Sequence, residues 1–123
     1  MAKILIVDDS ATELHVLAKI LQQGGHEALT ASDGEAGIAA ARAQEPDIIL
    51  MDVVMPGING FQATRKLSRD PKTQHIPVLM VTTKDQDTDR EWGIRQGAKG
   101  YLVKPVDGRE LLQRIGELLN WPS

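Results

Sequence analysis

Four short apolar runs dominate the chain: Ile4-Leu5-Ile6-Val7, Ile48-Ile49-Leu50-Met51, Val78-Leu79-Met80-Val81 and Tyr101-Leu102-Val103. Each ends at its C-terminal side on a polar residue: Asp8 and Asp9, Asp52, Thr82, and Lys104 followed by Pro105. An unbroken apolar run of this length suits a strand covered on both faces, as in parallel sheets flanked by helices. Parallel neighbours end on one sheet edge, so the four polar positions, far apart in sequence, are expected in a single crevice.

Segments with helical signals separate the runs. Ser10 can cap the first helix, with Glu13 as its capping-box partner and Leu14, Leu17, Ile20 and Leu21 on one face, and Gly24-Gly25 ends it. A second strand is expected over His26 to Ala31. Asp33 then opens an Ala-rich helix in which Ala36, Ala39, Ala40 and Ala43 recur at helical spacing, up to Pro46. After Asp52, residues Met55 to Gly60 read as a loop, Phe61 to Leu67 as a short helix and Arg69 to His75 as a polar return. Asp87 to Gln96 reads as the fourth helix, closed by Gly97. Asp107 to Asn120 reads as the fifth, with Leu111, Leu112, Ile115, Leu118 and Leu119 as its stripe. The expected fold is α/β: a doubly wound, five-stranded parallel sheet of order 2-1-3-4-5, in which strands 1 and 3 meet at the switch point. One domain over 1–123 is expected, with no effector domain, linker or repeat.

Composition narrows the function. With 41% hydrophobic and 3% aromatic residues among 123, the core must be aliphatic, and the length suits one domain. No cysteine is present, which removes thiol catalysis, thiolate zinc sites and disulfides. A net charge of −3 without a Lys/Arg block argues against nucleic-acid binding. The N-terminus meets two aspartates after four apolar residues, so no signal peptide or membrane insertion is expected, and the cytoplasm is the expected location. His15, His26 and His75 share no metal-site spacing.

Three crowded carboxylates call for a hard divalent cation, most naturally Mg²⁺. A carboxylate beside that ion can attack phosphorus and form an acyl phosphate. Lys104 suits the charge of the transferring oxygens and Thr82 can donate a hydroxyl hydrogen bond to one of them.

The motifs Val7-Asp8-Asp9-Ser10, Met51-Asp52-Val53-Val54-Met55-Pro56-Gly57, Val81-Thr82-Thr83 and Val103-Lys104-Pro105 resemble a response-regulator receiver domain across essentially the whole chain. The resemblance implies that Asp52 is the phosphoacceptor and that Asp8, Asp9, Asp52 and the backbone carbonyl of Val54 bind the metal. It implies phosphate-binding and switch roles for Lys104, Thr82 and Tyr101, and a cis Lys104-Pro105 bond. It also implies a sensor histidine kinase as phosphodonor, and a protein target that reads helix 4, strand 5 and helix 5. A monomer or weak dimer is expected. The segments from Gly60 to Arg65, Thr82 to Asp85 and Trp92 to Ala98 resemble stand-alone regulators of the PilH type, which serve chemotaxis-like pathways controlling type IV pili and twitching motility.

Plainer roles compete at several positions. Asp33 and Asp107 read best as helix caps. Thr82 and Thr83 alone would be ordinary strand residues, and Tyr101 an ordinary packing residue. Trp92 suits either local packing or, with Tyr101, a partner surface; Trp121 is expected to pin the last helix. Val54 stands where the family often carries a polar side chain, which implies an altered lifetime of the phosphorylated state. Besides a phosphorylation switch, a phosphate sink for a shared kinase fits the same residues. A Mg²⁺-dependent aspartyl-phosphate phosphohydrolase would place two aspartates two residues apart, which Asp8-Asp9-Ser10 does not, and would carry a cap insertion. A flavin or nucleotide site would need a Gly-rich loop where Ala11 and Thr12 stand.

Overall fold

The computed structural model describes residues 1–120. Five strands, β1 (Lys3–Val7), β2 (Glu27–Ala31), β3 (Ile48–Met51), β4 (Val78–Thr82) and β5 (Gly100–Val103), form one parallel sheet of order β2-β1-β3-β4-β5. Five helices, α1 (Ala11–Gln23), α2 (Gly34–Gln44), α3 (Gly60–Arg69), α4 (Asp87–Gln96) and α5 (Gly108–Leu119), make the crossovers. Trp121 lies outside the described residues. Among those residues no helix is long and apolar enough to cross a membrane.

Strand alternation splits the core in two. Leu5, Val7, Ile49, Met51 and Met80 point to one side, where Ala41 of α2 and Phe61, Ala63 and Leu67 of α3 cover them. Ile4, Ile6, Ile48, Leu50 and Leu79 point to the other, beneath Leu17 and Leu21 of α1 and Leu111 and Ile115 of α5. With both faces covered, strand residues need no polar partner in the alternation, which is why the runs read as continuously apolar.

Local chemistry sets the helix ends. Asp33 accepts from the Ala36 N–H at 2.7 Å and Asp107 from the Arg109 N–H at 2.8 Å, so both act as caps. The α4 limits agree with the sequence, and Gly97 ends that helix at φ +113°. α3 runs on to Arg69, past the expected Leu67. It starts from a full capping box in which Asn59 and Gln62 exchange side-chain acceptors at 2.9 and 2.8 Å, and the Thr73 hydroxyl bonds the Leu67 carbonyl at 2.7 Å. β2 begins one residue later than expected: the His26 N–H is taken by the Leu21 carbonyl at 2.9 Å, and His26 Nδ1 accepts the Ala2 N–H at 3.1 Å.

The packing of α2 is more specific than its alanine spacing, and one expectation, at α1, is corrected. The fully buried positions of α2 are Gly34, Gly37 and Ala41; of the four spaced alanines, Ala40 packs part-buried against the core and Ala36, Ala39 and Ala43 are exposed. A methyl group at Gly37 would lie 2.8 Å from a Val7 methyl, so this helix approaches the sheet at glycine, beside Ala41. At α1, Ser10 caps by accepting from the Glu13 N–H at 3.2 Å, but the reciprocal bond of a capping box is not made: the Ser10 N–H goes to Asp8 Oδ1 at 2.9 Å.

Candidate functional site

The sheet register brings the strand-end residues together. Val7 pairs with Met51, and one residue further on the Asp52 N–H donates to the Val7 carbonyl at 3.0 Å. On the outer side the Asp8 N–H donates to the Ala31 carbonyl at 3.1 Å. Thr82 pairs with Val103, and the Lys104 N–H donates to the Thr82 carbonyl at 2.8 Å. Each polar residue thus prolongs a ladder, which fixes its backbone to the sheet.

Oxygens of Asp8, Asp9 and Asp52 lie within 4.8 Å of one another. Asp8 and Asp52 are buried and Asp9 is exposed at the mouth. The Lys104 ammonium sits among acids, 2.6 Å from Asp8, 3.5 Å from Asp52 and 3.8 Å from Glu13. Burial by itself would lower the Lys104 pKa. The hydrogen bond to Asp8 and the charges of Asp52, Asp8 and Glu13 outweigh it, so the pKa is raised above 10.5 and the side chain is a fixed cation. An all-oxygen, hard, anionic donor set of this kind fits Mg²⁺, whose charge would relieve the repulsion that one lysine only partly offsets.

Asp52 also accepts from the Val53 N–H at 2.8 Å through Oδ1, leaving Oδ2 on the lysine side. Val54, next in the loop, is 60% exposed. The loop returns tightly to α3, where the Gly60 N–H donates to the Val53 carbonyl at 2.8 Å; a side chain at Gly60 would overlap the Asp52 carbonyl. The Lys104-Pro105 bond is cis, as the motif resemblance implied.

Thr82 is buried, and its Oγ1 accepts a long 3.4 Å bond from the Lys84 N–H. The Lys84 carbonyl in turn accepts the Tyr101 hydroxyl at 2.8 Å. Tyr101 is only 5% exposed and Arg90 stacks over its ring at 5.4 Å. The expectation that Tyr101 offers partner surface is therefore corrected for this conformation. The turned-in ring packs beside Gly93, where a methyl group would approach it to 3.3 Å. Trp92 is 47% exposed on α4, so its indole is surface and not core.

Burial, followed by the charge of Asp89, pushes the Tyr101 phenol up to about 12 from 10.0. Folding therefore retains the phenolic proton where an unfolded chain would lose it, and stability falls as pH rises from 10 towards 12, in the same direction as the Lys104 effect. This is the only tyrosine in the chain, so ultraviolet titration reads it alone. Phenolate is expected to form near pH 12, with unfolding; a midpoint near pH 10 in folded protein would mean the ring is exposed.

Sequence reading missed three contributors: Glu13 beside the lysine, the backbone of Lys84 between Thr82 and Tyr101, and the fit of Gly60 against Asp52. Only Gly60 carried a signal, as a glycine directly after a helix-capping asparagine.

A CheY-like sheet whose edge holds an acidic triad, a buried threonine and a lysine followed by a cis proline defines the class: the chain belongs to the response regulator receiver domain family, whose pattern matches residues 4–116. It is a signalling protein and not an enzyme that turns over external substrates. In particular, it is 57% identical over 119 residues to the protein PilH of Pseudomonas aeruginosa, with 97% of this chain and 98% of that protein covered. It is 44% identical over 117 residues to the response regulator PleD of Caulobacter vibrioides, spanning 95% of this chain but only 26% of that longer protein. Among solved structures, the chemotaxis protein CheY4 of Vibrio cholerae superposes with a TM-score of 0.90 at 35% identity, covering 96% of this chain and 98% of that one. A response regulator from Chloroflexus aurantiacus does so with 0.93 at 32% identity, covering 98% of each.

Proposed function

We propose that this protein is a single-domain response regulator, phosphorylated on Asp52 by a sensor histidine kinase, that acts in a chemotaxis-like pathway controlling type IV pili and twitching motility. The observation that carries the phosphoacceptor role is the Asp8–Asp9–Asp52 cluster with Lys104 3.5 Å from Asp52 Oδ2. The pathway rests on the likeness to PilH over nearly the full length of both chains.

Asp8, Asp9, Asp52 and the Val54 carbonyl would hold Mg²⁺, which supplies positive charge beside the transferring phosphoryl oxygens. An Asp52 oxygen attacks the phosphorus, the P–N bond to the donor imidazole breaks, and that nitrogen keeps the electron pair and takes up a proton. Lys104 exchanges part of its contact with Asp8 for a phosphoryl oxygen, and Thr82 gives its hydroxyl to another. Withdrawing Oγ1 from the Lys84 N–H loosens the segment that also carries the acceptor for Tyr101. The change thereby reaches α4 and β5, where Trp92 offers partner surface.

Incubation with a small acyl phosphate should add the mass of one phosphoryl group to Asp52, and only when Mg²⁺ is present. No uptake, under conditions in which another receiver domain reacts, would refute the reading. Val54 carries an exposed apolar side chain two residues after Asp52, and such a side chain cannot hydrogen-bond an attacking water. Val54→Asn is expected to change the dephosphorylation rate several-fold, measured by phosphate release; an unchanged rate removes Val54 from control of lifetime.

A further inference from the structure

Glu13 lies in the first turn of α1, where its sequence position marks it as half of a capping box. The structure releases it from that duty, because the Ser10 N–H is taken by Asp8 at 2.9 Å. Its carboxylate lies instead 3.8 Å from the Lys104 ammonium, with its side chain 37% exposed at the mouth of the acidic crevice. Three carboxylates, Asp8, Asp52 and Glu13, therefore lie around one ammonium, with Asp9 clustered beside the two aspartates. Glu13 differs from the other three: it is not within the cluster that could share a metal ion, and it borders solvent.

We propose that Glu13 is a specificity-determining residue that discriminates against small anionic phosphodonors; this rests on the phosphoacceptor reading of Asp52. An incoming acyl phosphate carries its negative charge to the same lysine that Glu13 already faces, and finds that attraction partly neutralised. A kinase presents its phosphoryl group on a protein surface and gains binding from contacts elsewhere, so the same penalty matters less to it. Glu13 thereby sets the relative use of free metabolite donors and the kinase without touching the reacting atoms.

Because the pair is partly exposed, the effect is modest and screened by salt. With Mg²⁺ saturating and acetyl phosphate as donor, Glu13→Gln should lower the apparent KM about threefold to fivefold with little change in maximal rate, and the advantage should shrink at high ionic strength. In each transfer an Asp52 oxygen bonds to phosphorus as the bond to the acetate oxygen breaks, and acetate leaves with the electron pair. Glu13→Asp, which keeps the charge, should restore most of the wild-type KM. Calorimetric Mg²⁺ titration should show far less loss of affinity for Glu13→Gln than for Asp9→Asn. An unchanged or raised KM, a salt-independent gain, or an equal gain in Glu13→Asp would overturn the proposal while wild-type labelling upholds the phosphoacceptor. Absence of labelling in the wild type would overturn both.

Discussion

Asp52→Asn is expected to take up no phosphoryl group from kinase or small donor, while its melting temperature stays level or rises. An amide oxygen lacks the charge and basicity of the carboxylate, and no other carboxylate can replace it without losing its place. Asp8 is held by the Ser10 N–H at 2.9 Å and Lys104 at 2.6 Å, and Asp9 faces solvent. The fold tolerates the change because Lys104 keeps Asp8 and Glu13 as partners. One source of repulsion in the triad also disappears. Mass spectrometry and a thermal melt on the same sample check both halves. Residual stoichiometric labelling would move the acceptor elsewhere; a large loss of stability would mean that Asp52 is held mainly for structure.

Gly60→Ala is expected to cost about 3 kcal/mol, lowering the melting temperature by about 10 °C. The added carbon would overlap the Asp52 backbone carbonyl, and backbone on both sides is tied by the 2.8 Å bond from the Gly60 N–H to Val53. Either α3 or the end of β3 must move, and movement of β3 displaces the acceptor. Phosphorylation by acyl phosphate should therefore slow along with the loss of stability. A variant that melts within a degree or two of the wild type would show that the loop yields at little cost.

The strand runs, sheet order and converging polar residues were legible because burial on both faces leaves the strands a continuous apolar signature, and because parallel strands share an edge. The inner face of α2 was not legible: alanine has too little polarity contrast to tell outside from inside, and contact is made by Gly37 and Ala41. The orientation of Tyr101 was hidden because what the turned-in ring meets lies on other segments: the Lys84 carbonyl that accepts its hydroxyl and Gly93 beside the ring. Glu13 was misassigned because its capping spacing was correct; only the competing bond from the Ser10 N–H to Asp8 shows that its carboxylate is available to Lys104. The placement of Asp8, Asp9, Asp52, Thr82 and Lys104 along one edge was legible because each ends a run of the same sheet.

Amide hydrogen exchange, followed with and without phosphorylation in the presence of Mg²⁺, tests the switch most directly. The backbone of Lys84 bonds both Thr82 and Tyr101, at 3.4 and 2.8 Å. Phosphorylation of the wild type is therefore expected to change protection from Lys84 through α4 and in β5, with no such change in Asp52→Asn. Stoichiometric phosphorylation of Asp52 that leaves exchange in α4 and β5 untouched would contradict the switch and leave a phosphate sink.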